Sequence, residues 1–260
     1  MRARIRQAFQ WRHLILLMTL REFKRRYLSI GAALAFTFVV SVGSLLVLSA
    51  VFGRHFEGQV SVPYPLFVFC GLIPWAFLQS SVSQSVDSFR ANANLVRKIS
   101  FPRELVPLSV VSVNLVVMAS SLATLLPFLL YYGYHPNLAW LWLLVAILSV
   151  VLLGTGLAML LSILSVHFIE IRPATELGIM LWFYATPIFY PASIVPPDLA
   201  WIPRINPAAR IAEIARCALL FRVAPPFESV LVAVGCSLLV FVAGYALVLR
   251  LSATLADHVN

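Results

Sequence analysis

Long runs without a charged side chain dominate the pattern of hydrophobic and polar positions along this chain. They cover residues 28–53, 58–86, 105–169, 177–197 and 229–249. A bilayer core about 30 Å thick needs about 20 apolar helical residues to cross it. The third run is long enough for two crossings, and the turn-forming residues Gly133, Pro136 and Asn137 divide it.

We therefore predict an all-α integral membrane protein with six transmembrane helices in a single domain, residues 1–260. The spans are expected at about 30–52, 64–86, 105–131, 140–165, 174–190 and 229–250. The runs lack the alternation of apolar and polar residues that strands of a membrane barrel show. A mean hydropathy of +0.93 and a charged fraction of 11% agree with this class.

Basic residues are distributed unevenly around the predicted spans. Fourteen of the 19 Lys and Arg residues lie in the first 29 residues, the 87–104 loop, the 166–173 loop or the tail. The side of a membrane protein that is rich in Lys and Arg is cytoplasmic, so both termini are expected in the cytoplasm. The net charge of +9 is a topology signal and gives no reason to expect a nucleic-acid partner, because the basic residues flank spans.

Residues 9–27 carry apolar side chains at helical spacing, followed by a basic cluster. Trp11, Leu14, Ile15 and Met18 follow the i, i+3, i+4, i+7 pattern of one helix face. This pattern predicts an amphipathic helix within residues 1–29 that lies in the membrane interface. A basic topology anchor without another role is the alternative interpretation.

Residues 191–228 are rich in proline and lie between predicted spans five and six. Asn206 and Pro207 form a helix start, because Asn caps a helix and proline suits its first position. The helix that follows is amphipathic, with Arg210, Glu213 and Arg216 on its polar face. Two interpretations of these arginines stay open, namely ion pairs within the segment or contact with an anionic ligand or lipid phosphate. The acidic partners for such pairs would be Asp198, Glu213 and Glu228.

The sequence contains no recognisable catalytic or nucleotide-binding motif. It has no GxxxxGK[ST] loop and no GxSxG, and its five histidines lack metal-ligand spacing. No cluster of acidic residues lies within a predicted span, as ion-coupled transporters usually require. The three cysteines are interpreted as small apolar fillers. If this protein moves something uphill, the energy is expected to come from elsewhere.

Aromatic side chains are concentrated in predicted span five, with a smaller group in span two. Their spacing of seven residues in span five places them on two adjacent helical ridges. An interfacial belt or ordinary core packing is one interpretation, and a stacking surface for sugar rings is the other. The candidates are Trp75, Phe77, Trp182, Tyr184, Phe189 and Tyr190.

Two stretches, YPLFVFCGLIPWAFLQSS (64–81) and NANLVRKISFPRELVPL (92–108), resemble the permease subunit of polysaccharide ABC exporters. This group carries O-antigen, capsule and teichoic-acid type polymers. The likeness continues in residues 185–196, 205–216 and 246–259. The first span departs from the family pattern, because it lacks a proline and its entry reads RRYLSIGAALAF.

The resemblance implies a half-transporter in a bacterial inner membrane, paired with a second copy of itself and with two ATP-binding cassette subunits. Those subunits would carry ATP and Mg²⁺, and this chain would hold no cofactor. The substrate would be a lipid-linked polysaccharide among membrane lipids. The family's outer gate helices map onto 191–228, with Asn206, Pro207, Arg210, Glu213 and Arg216 as candidate residues.

The resemblance also implies that the 87–104 loop is a coupling helix seated in a cleft of the ATP-binding subunit. Apolar Leu95, Ile99 and Phe101 would fill the cleft, and the basic residues would meet its acidic rim. The complete coupling set is Asn92, Asn94, Leu95, Arg97, Lys98, Phe101, Pro102, Arg103 and Glu104.

Two other functions are weighed against polysaccharide export. One is export of a small drug or a lipo-oligosaccharide by the same machinery. The other is a membrane-bound sugar-transfer enzyme, for which Glu170, Arg172 and Glu176 form the one candidate cluster in the sequence. A salt-bridged cytoplasmic loop explains this cluster more simply.

Overall fold

The computed structural model describes residues 11–27, 29–56, 58–98 and 101–251, and regular structure within these ranges is entirely helical. Short 3₁₀ turns occur at Leu138–Leu141, Ala192–Ile194 and Pro197–Leu199, and a π turn occurs at Cys217–Phe221. The α-helices are α1 Arg12–Arg26, α2 Ile30–Phe52, α3 Tyr64–Val86, α4 Ser88–Ala91, α5 Ala93–Lys98, α6 Leu105–Tyr131, α7 Trp142–His167, α8 Ile171–Tyr184, α9 Trp201–Ile205, α10 Pro207–Arg216 and α11 Phe227–Leu251.

Within the described ranges, five helices are long and apolar enough to cross a membrane. They are α2, α3, α6, α7 with the 3₁₀ turn before it, and α11. Their bounds agree with five of the predicted spans to within two residues at each end. Local chemistry explains the start of α2, where the Ser29 side chain accepts a hydrogen bond from the Ala32 N–H at 3.1 Å. The chain is a multi-pass membrane protein.

The fifth predicted span differs from the prediction. Helix α8 has 14 residues and ends at Tyr184, so at 1.5 Å per residue it is about 21 Å long. Pro187 explains the end, because the residue before a proline avoids helical backbone geometry. The Thr186 hydroxyl closes the last turn by donating to the Trp182 carbonyl at 2.7 Å. A helix over 174–190 is therefore wrong at its end, and six full-length spans are not confirmed.

The chain from α8 to Phe189 nevertheless follows the whole length of α3. Arg172, at the start of α8, lies 3.0 Å from the Asp87 carboxylate, which directly follows the end of α3. The hydroxyl of Tyr64, the first residue of α3, donates to the Phe189 carbonyl at 2.5 Å. Both ends of a 23-residue span are thus contacted by the same stretch of chain.

Helices α7 and α11 cross with their backbones in contact. Gly156 of α7 and Gly244 of α11 face each other at the crossing. A Cβ atom placed on Gly156 would lie 2.5 Å from the backbone nitrogen of Phe241. Two residues without side chains permit this approach, as small residues do in other membrane helix pairs. The glycine pair therefore sets the distance between the two helices.

A second core lies at the end of the bundle where α3 meets the 87–104 loop. We call it the loop cluster, and its buried members are Met18, Phe89, Val96, Phe101, Leu105, Val106, Met159, Ile163, Val166 and Val248. Trp11, Leu14 and Ile15 of α1 pack against it. The helix that was predicted to lie with this face in the membrane interface therefore turns the face toward protein. Leu16, Leu17 and Leu20 point outward instead.

A polar group ties α1 to the spans beside the loop cluster. Glu22 is buried and accepts hydrogen bonds from the guanidinium of Arg26, with the shortest at 2.7 Å. Arg26 also donates to Gln84 of α3 and to Asn114 of α6, and Asn114 donates to Gln84 at 3.0 Å. These hydrogen bonds satisfy the buried side chains of Glu22 and Asn114 and link α1 to α3 and α6.

Candidate functional site

The 87–104 loop folds back onto the protein's own core. Phe101 is only 8% exposed and belongs to the loop cluster together with Val96. Arg103 donates a hydrogen bond to the Val96 carbonyl, and its guanidinium lies 5.2 Å from the centre of the Phe101 ring. Leu95 packs against the same cluster. The expectation that the Phe101 ring enters a cleft of another protein therefore does not match its position.

The remaining coupling candidates lie at the surface or between the two short helices of the loop. Asn94 and Arg97 are exposed, and Pro102 and Glu104 are partly exposed. Asn92 separates α4 from α5, where its side-chain amide donates to the Ser88 carbonyl at 2.9 Å. The side chain of Lys98, and residues 99–100, lie outside the described residues. Among the described residues, the surface that this loop offers to a partner is thus largely polar.

Five of the six aromatic candidates belong to one continuous cluster. Trp75 and Trp182 meet edge to face at 5.7 Å between ring centroids, and Phe183 joins Trp75 to Phe189. Tyr184 and Tyr190 contact Phe189 at 6.5 and 5.1 Å. We call this set the aromatic cluster, namely Trp75, Trp182, Phe183, Tyr184, Phe189 and Tyr190.

Phe189 and Tyr190 reach the aromatic cluster because the chain after α8 is irregular. The two helical ridges that the sequence predicts therefore do not form. The aromatic cluster extends to the first span, since Phe52 of α2 lies 5.4 Å from Phe189. Phe77 is not part of it, because the ring packs against Gly154 of α7. Two residues apart on a helix, Trp75 and Phe77 point about 200° apart, so they cannot share a face.

The outer segment, residues 191–228, is organised around Asn206. This side chain caps α10 by accepting from the Ala208 N–H at 3.0 Å. It also accepts from the Trp182 indole N–H and donates to the Thr186 hydroxyl, both at 2.9 Å. The Asn206-Pro207 helix start predicted from the sequence is confirmed. Its additional contact with the aromatic cluster had no signal in the local sequence.

The arginines of α10 are occupied by partners within the protein. Arg210 forms ion pairs with Glu213 at 2.8 Å and Glu228 at 3.2 Å. Arg216 donates to three backbone carbonyls. Both groups line a cavity of about 680 Å³ beside α10. The ion-pair interpretation therefore holds for Arg210, whereas Asp198 forms no ion pair among the described residues.

The cluster considered for an enzyme is a pair of surface ion pairs. Arg172 lies 3.0 Å from Asp87 and 3.7 Å from Glu176. Within the described part of the chain, no group of His, Cys, Asp or Glu side chains could hold a metal ion. The arrangement links α8 to the end of α3.

Within the described residues, the all-helical bundle with its long apolar helices defines a multi-pass integral membrane protein. The family described as "ABC-2 type transporter" matches residues 13–220, and the chain belongs to that family. Membership implies a membrane subunit that pairs with an ATP-binding subunit, and it makes this chain a transporter component and not an enzyme.

The relatives of this chain share one description. Two proteins of Klebsiella pneumoniae, each named "O-antigen export system permease protein RfbA", are 33% identical to it over 200 and 198 residues. A protein of the same name from Myxococcus xanthus is 28% identical over 196 residues. Each alignment covers 75% of this chain and 75–76% of the relative.

Proposed function

We propose that this chain is the transmembrane subunit of an ATP-driven exporter that moves a lipid-linked cell-surface polysaccharide across a bacterial inner membrane. The observation that carries the proposal is the match over three quarters of the chain to O-antigen export permeases. Two copies of the chain form the path, and two separate ATP-binding subunits supply ATP and Mg²⁺. A small drug or a lipo-oligosaccharide is the competing cargo.

The proposed topology has six crossings with both termini in the cytoplasm. Helix α8 and residues 185–190 together make the fifth crossing, although the helix alone is too short. Their contacts with both ends of α3 support this assignment. The distribution of basic residues supports it as well, because six crossings leave the Arg-rich N-terminus, the 87–104 loop and Arg250 on one side.

The coupling surface is proposed to be the exposed face of the 92–104 segment. Asn94, Arg97 and Glu104 would meet the ATP-binding subunit. Phe101 and Arg103 would act from inside, by fixing the loop to the loop cluster. A displacement of the loop would then be transmitted to α1, α6, α7 and α11, whose side chains also belong to that cluster.

The substrate path is proposed to run along the aromatic cluster. Its rings belong to α3, to α8 and to the chain after α8, and Phe52 adds α2. Sugar rings present apolar C–H faces to aromatic rings and hydroxyl groups to the polar tips of Tyr and Trp. Tyr184 is 59% exposed in the single subunit and offers the most accessible of these rings.

Co-expression with an ATP-binding subunit tests the proposed function. We expect a stable complex of two copies of each chain that hydrolyses ATP after purification in detergent. We also expect deletion of the permease gene in the source cell to trap the surface polysaccharide inside. A permease that recruits no ATP-binding subunit, or a deletion strain with normal surface polysaccharide, would contradict the proposal.

The Tyr184→Ala substitution should lower polysaccharide export without unfolding the protein. One aromatic contact is worth about 0.5–1.5 kcal/mol, which corresponds to an about 2- to 10-fold loss of export. The measurement is surface polysaccharide on gels, in the deletion strain complemented with the variant.

Leu181→Ala is the matched control for this substitution. Leu181 lies on the same helix and is equally exposed, at 58% against 59% for Tyr184. Exposed substitutions usually change stability by no more than about 0.5 kcal/mol, so both variants should reach wild-type amounts. Equal export by the two variants would remove Tyr184 from the substrate path.

A further inference from the structure

One charged side chain of the outer segment is buried almost completely. Arg216, the last residue of α10, is 6% exposed. No carboxylate of a described residue lies within ion-pair distance of it. Burial lowers the pKa of the Arg216 guanidinium to about 10, which leaves the group charged at neutral pH. The protein thus holds a buried positive charge with no carboxylate of a described residue in direct contact, an arrangement that requires other compensation.

Backbone carbonyls from two separate parts of the chain provide this compensation. Arg216 Nε donates to the Phe67 carbonyl of α3 at 3.1 Å. Its two terminal nitrogens donate to the Pro187 and Ile188 carbonyls at 2.9 and 2.7 Å. The guanidinium carbon lies 3.6 Å from the centre of the Phe67 ring, within cation–π distance.

The Pro187 and Ile188 carbonyls belong to the irregular chain that carries Phe189. No helix fixes this stretch, since α8 ends at Tyr184. The Arg216 guanidinium joins this stretch to α3, with two hydrogen bonds to the stretch and one to α3. Hydrogen bonds to charged groups are among the stronger ones in proteins. Separating the two segments would leave the buried charge without partners.

We propose that Arg216 is a positioning residue for the substrate path: it pins the Pro187-Ile188 backbone to α3 and so holds Phe189 in the aromatic cluster. The proposal rests on the proposed function as an exporter. Phe189 is the ring that connects Phe52 of α2 with Phe183 of α8. Displacing residues 187–188 would therefore disconnect α2 from α8 at their aromatic contacts, while Trp75 of α3 keeps its own contacts with Trp182 and Phe183.

Gly71 of α3 provides an independent way to disturb the same contact. A Cβ atom placed on Gly71 would lie 2.7 Å from Arg216 Nη2 and 3.6 Å from the Ile188 Cα. Gly71→Ala thus displaces the Arg216 guanidinium sterically, without removing the arginine or its charge. Gly235→Ala is the matched control, since a Cβ on Gly235 meets no atom within 4 Å.

The experiment compares Arg216→Lys and Gly71→Ala with the wild type and with Gly235→Ala. Each variant is purified as the full complex with its ATP-binding subunit, for its melting temperature and ATP hydrolysis. Export is measured as surface polysaccharide in the deletion strain. We expect both variants to assemble and hydrolyse ATP, while export per ATP hydrolysed falls about 10-fold or more, because lysine cannot supply the guanidinium fork.

Two results would overturn the proposal. One is wild-type export per ATP hydrolysed in both variants. The other is a parallel fall of assembly, hydrolysis and export, which would give Arg216 a role in stability alone. If Arg216→Lys does not assemble, Gly71→Ala decides by the same criteria, and its own failure to assemble counts as the stability result. A wild-type complex that exports no polysaccharide would instead reject the proposed function.

Discussion

Gly156→Leu is expected to remove folded protein from the membrane. The new side chain would have to occupy the backbone of Phe241, which lies 2.5 Å from the position of the Cβ atom. Overpacking usually costs about 1–3 kcal/mol, and here neither backbone can move without separating α7 from α11. The expected loss is about 3 kcal/mol or more, a large part of the stability of a typical domain. Expression level and melting temperature in detergent measure it.

Gly235→Leu on α11 is the control for this substitution. A Cβ atom there meets open space, so the variant should accumulate and melt like the wild type. The same loss at both positions would show that leucine itself is poorly tolerated in α11 or α7. In that case the close crossing would not explain the effect.

Arg97→Glu is expected to uncouple the permease from its ATP-binding subunit. Arg97 is exposed on α5, and the proposed partner surface is acidic. Placing like charges opposite each other costs several kcal/mol, which corresponds to an about 100-fold weaker complex. Co-purification of the two subunits and ATP hydrolysis by the complex measure the effect. The melting temperature of the permease alone is measured alongside, which separates a loss of fold from a loss of docking.

Arg250→Glu carries the same charge change outside the proposed coupling surface. Arg250 is exposed at the end of α11 and is predicted to lie on the same side of the membrane. Its substitution should leave the complex intact. If both variants weaken the complex equally, the basic character of the whole cytoplasmic face matters and α5 has no special role.

The membrane helices could be predicted from the sequence because charge and length determine them. A charged residue within a span is costly, so uncharged runs of sufficient length mark α2, α3, α6, α7 and α11 almost to the residue. Span five was predicted too long because hydropathy does not register Pro187. The proline itself indicates that the helix ends there. The apolar residues that follow it nevertheless continue the uncharged run beyond that end.

The direction of individual side chains within the candidate sites could not be predicted from the sequence. Phe101 reads as a contact residue in the sequence because it is an apolar ring among charges. It lies in the loop cluster because the fold brings Met18 of α1 and Val248 of α11, from opposite ends of the chain, into contact with the same cluster. Phe77 and Trp75 look alike in the sequence and face different helices.

The sequence by itself determined the class of protein, the long spans and the family, since each depends on composition or on residues close together in the chain. Only the tertiary structure decided what holds the aromatic cluster in place. The partners of Arg216 are backbone carbonyls 149, 29 and 28 residues away. Every residue has such a carbonyl, so no residue type marks these three, and only the packing of α10 against α3 brings them to the guanidinium.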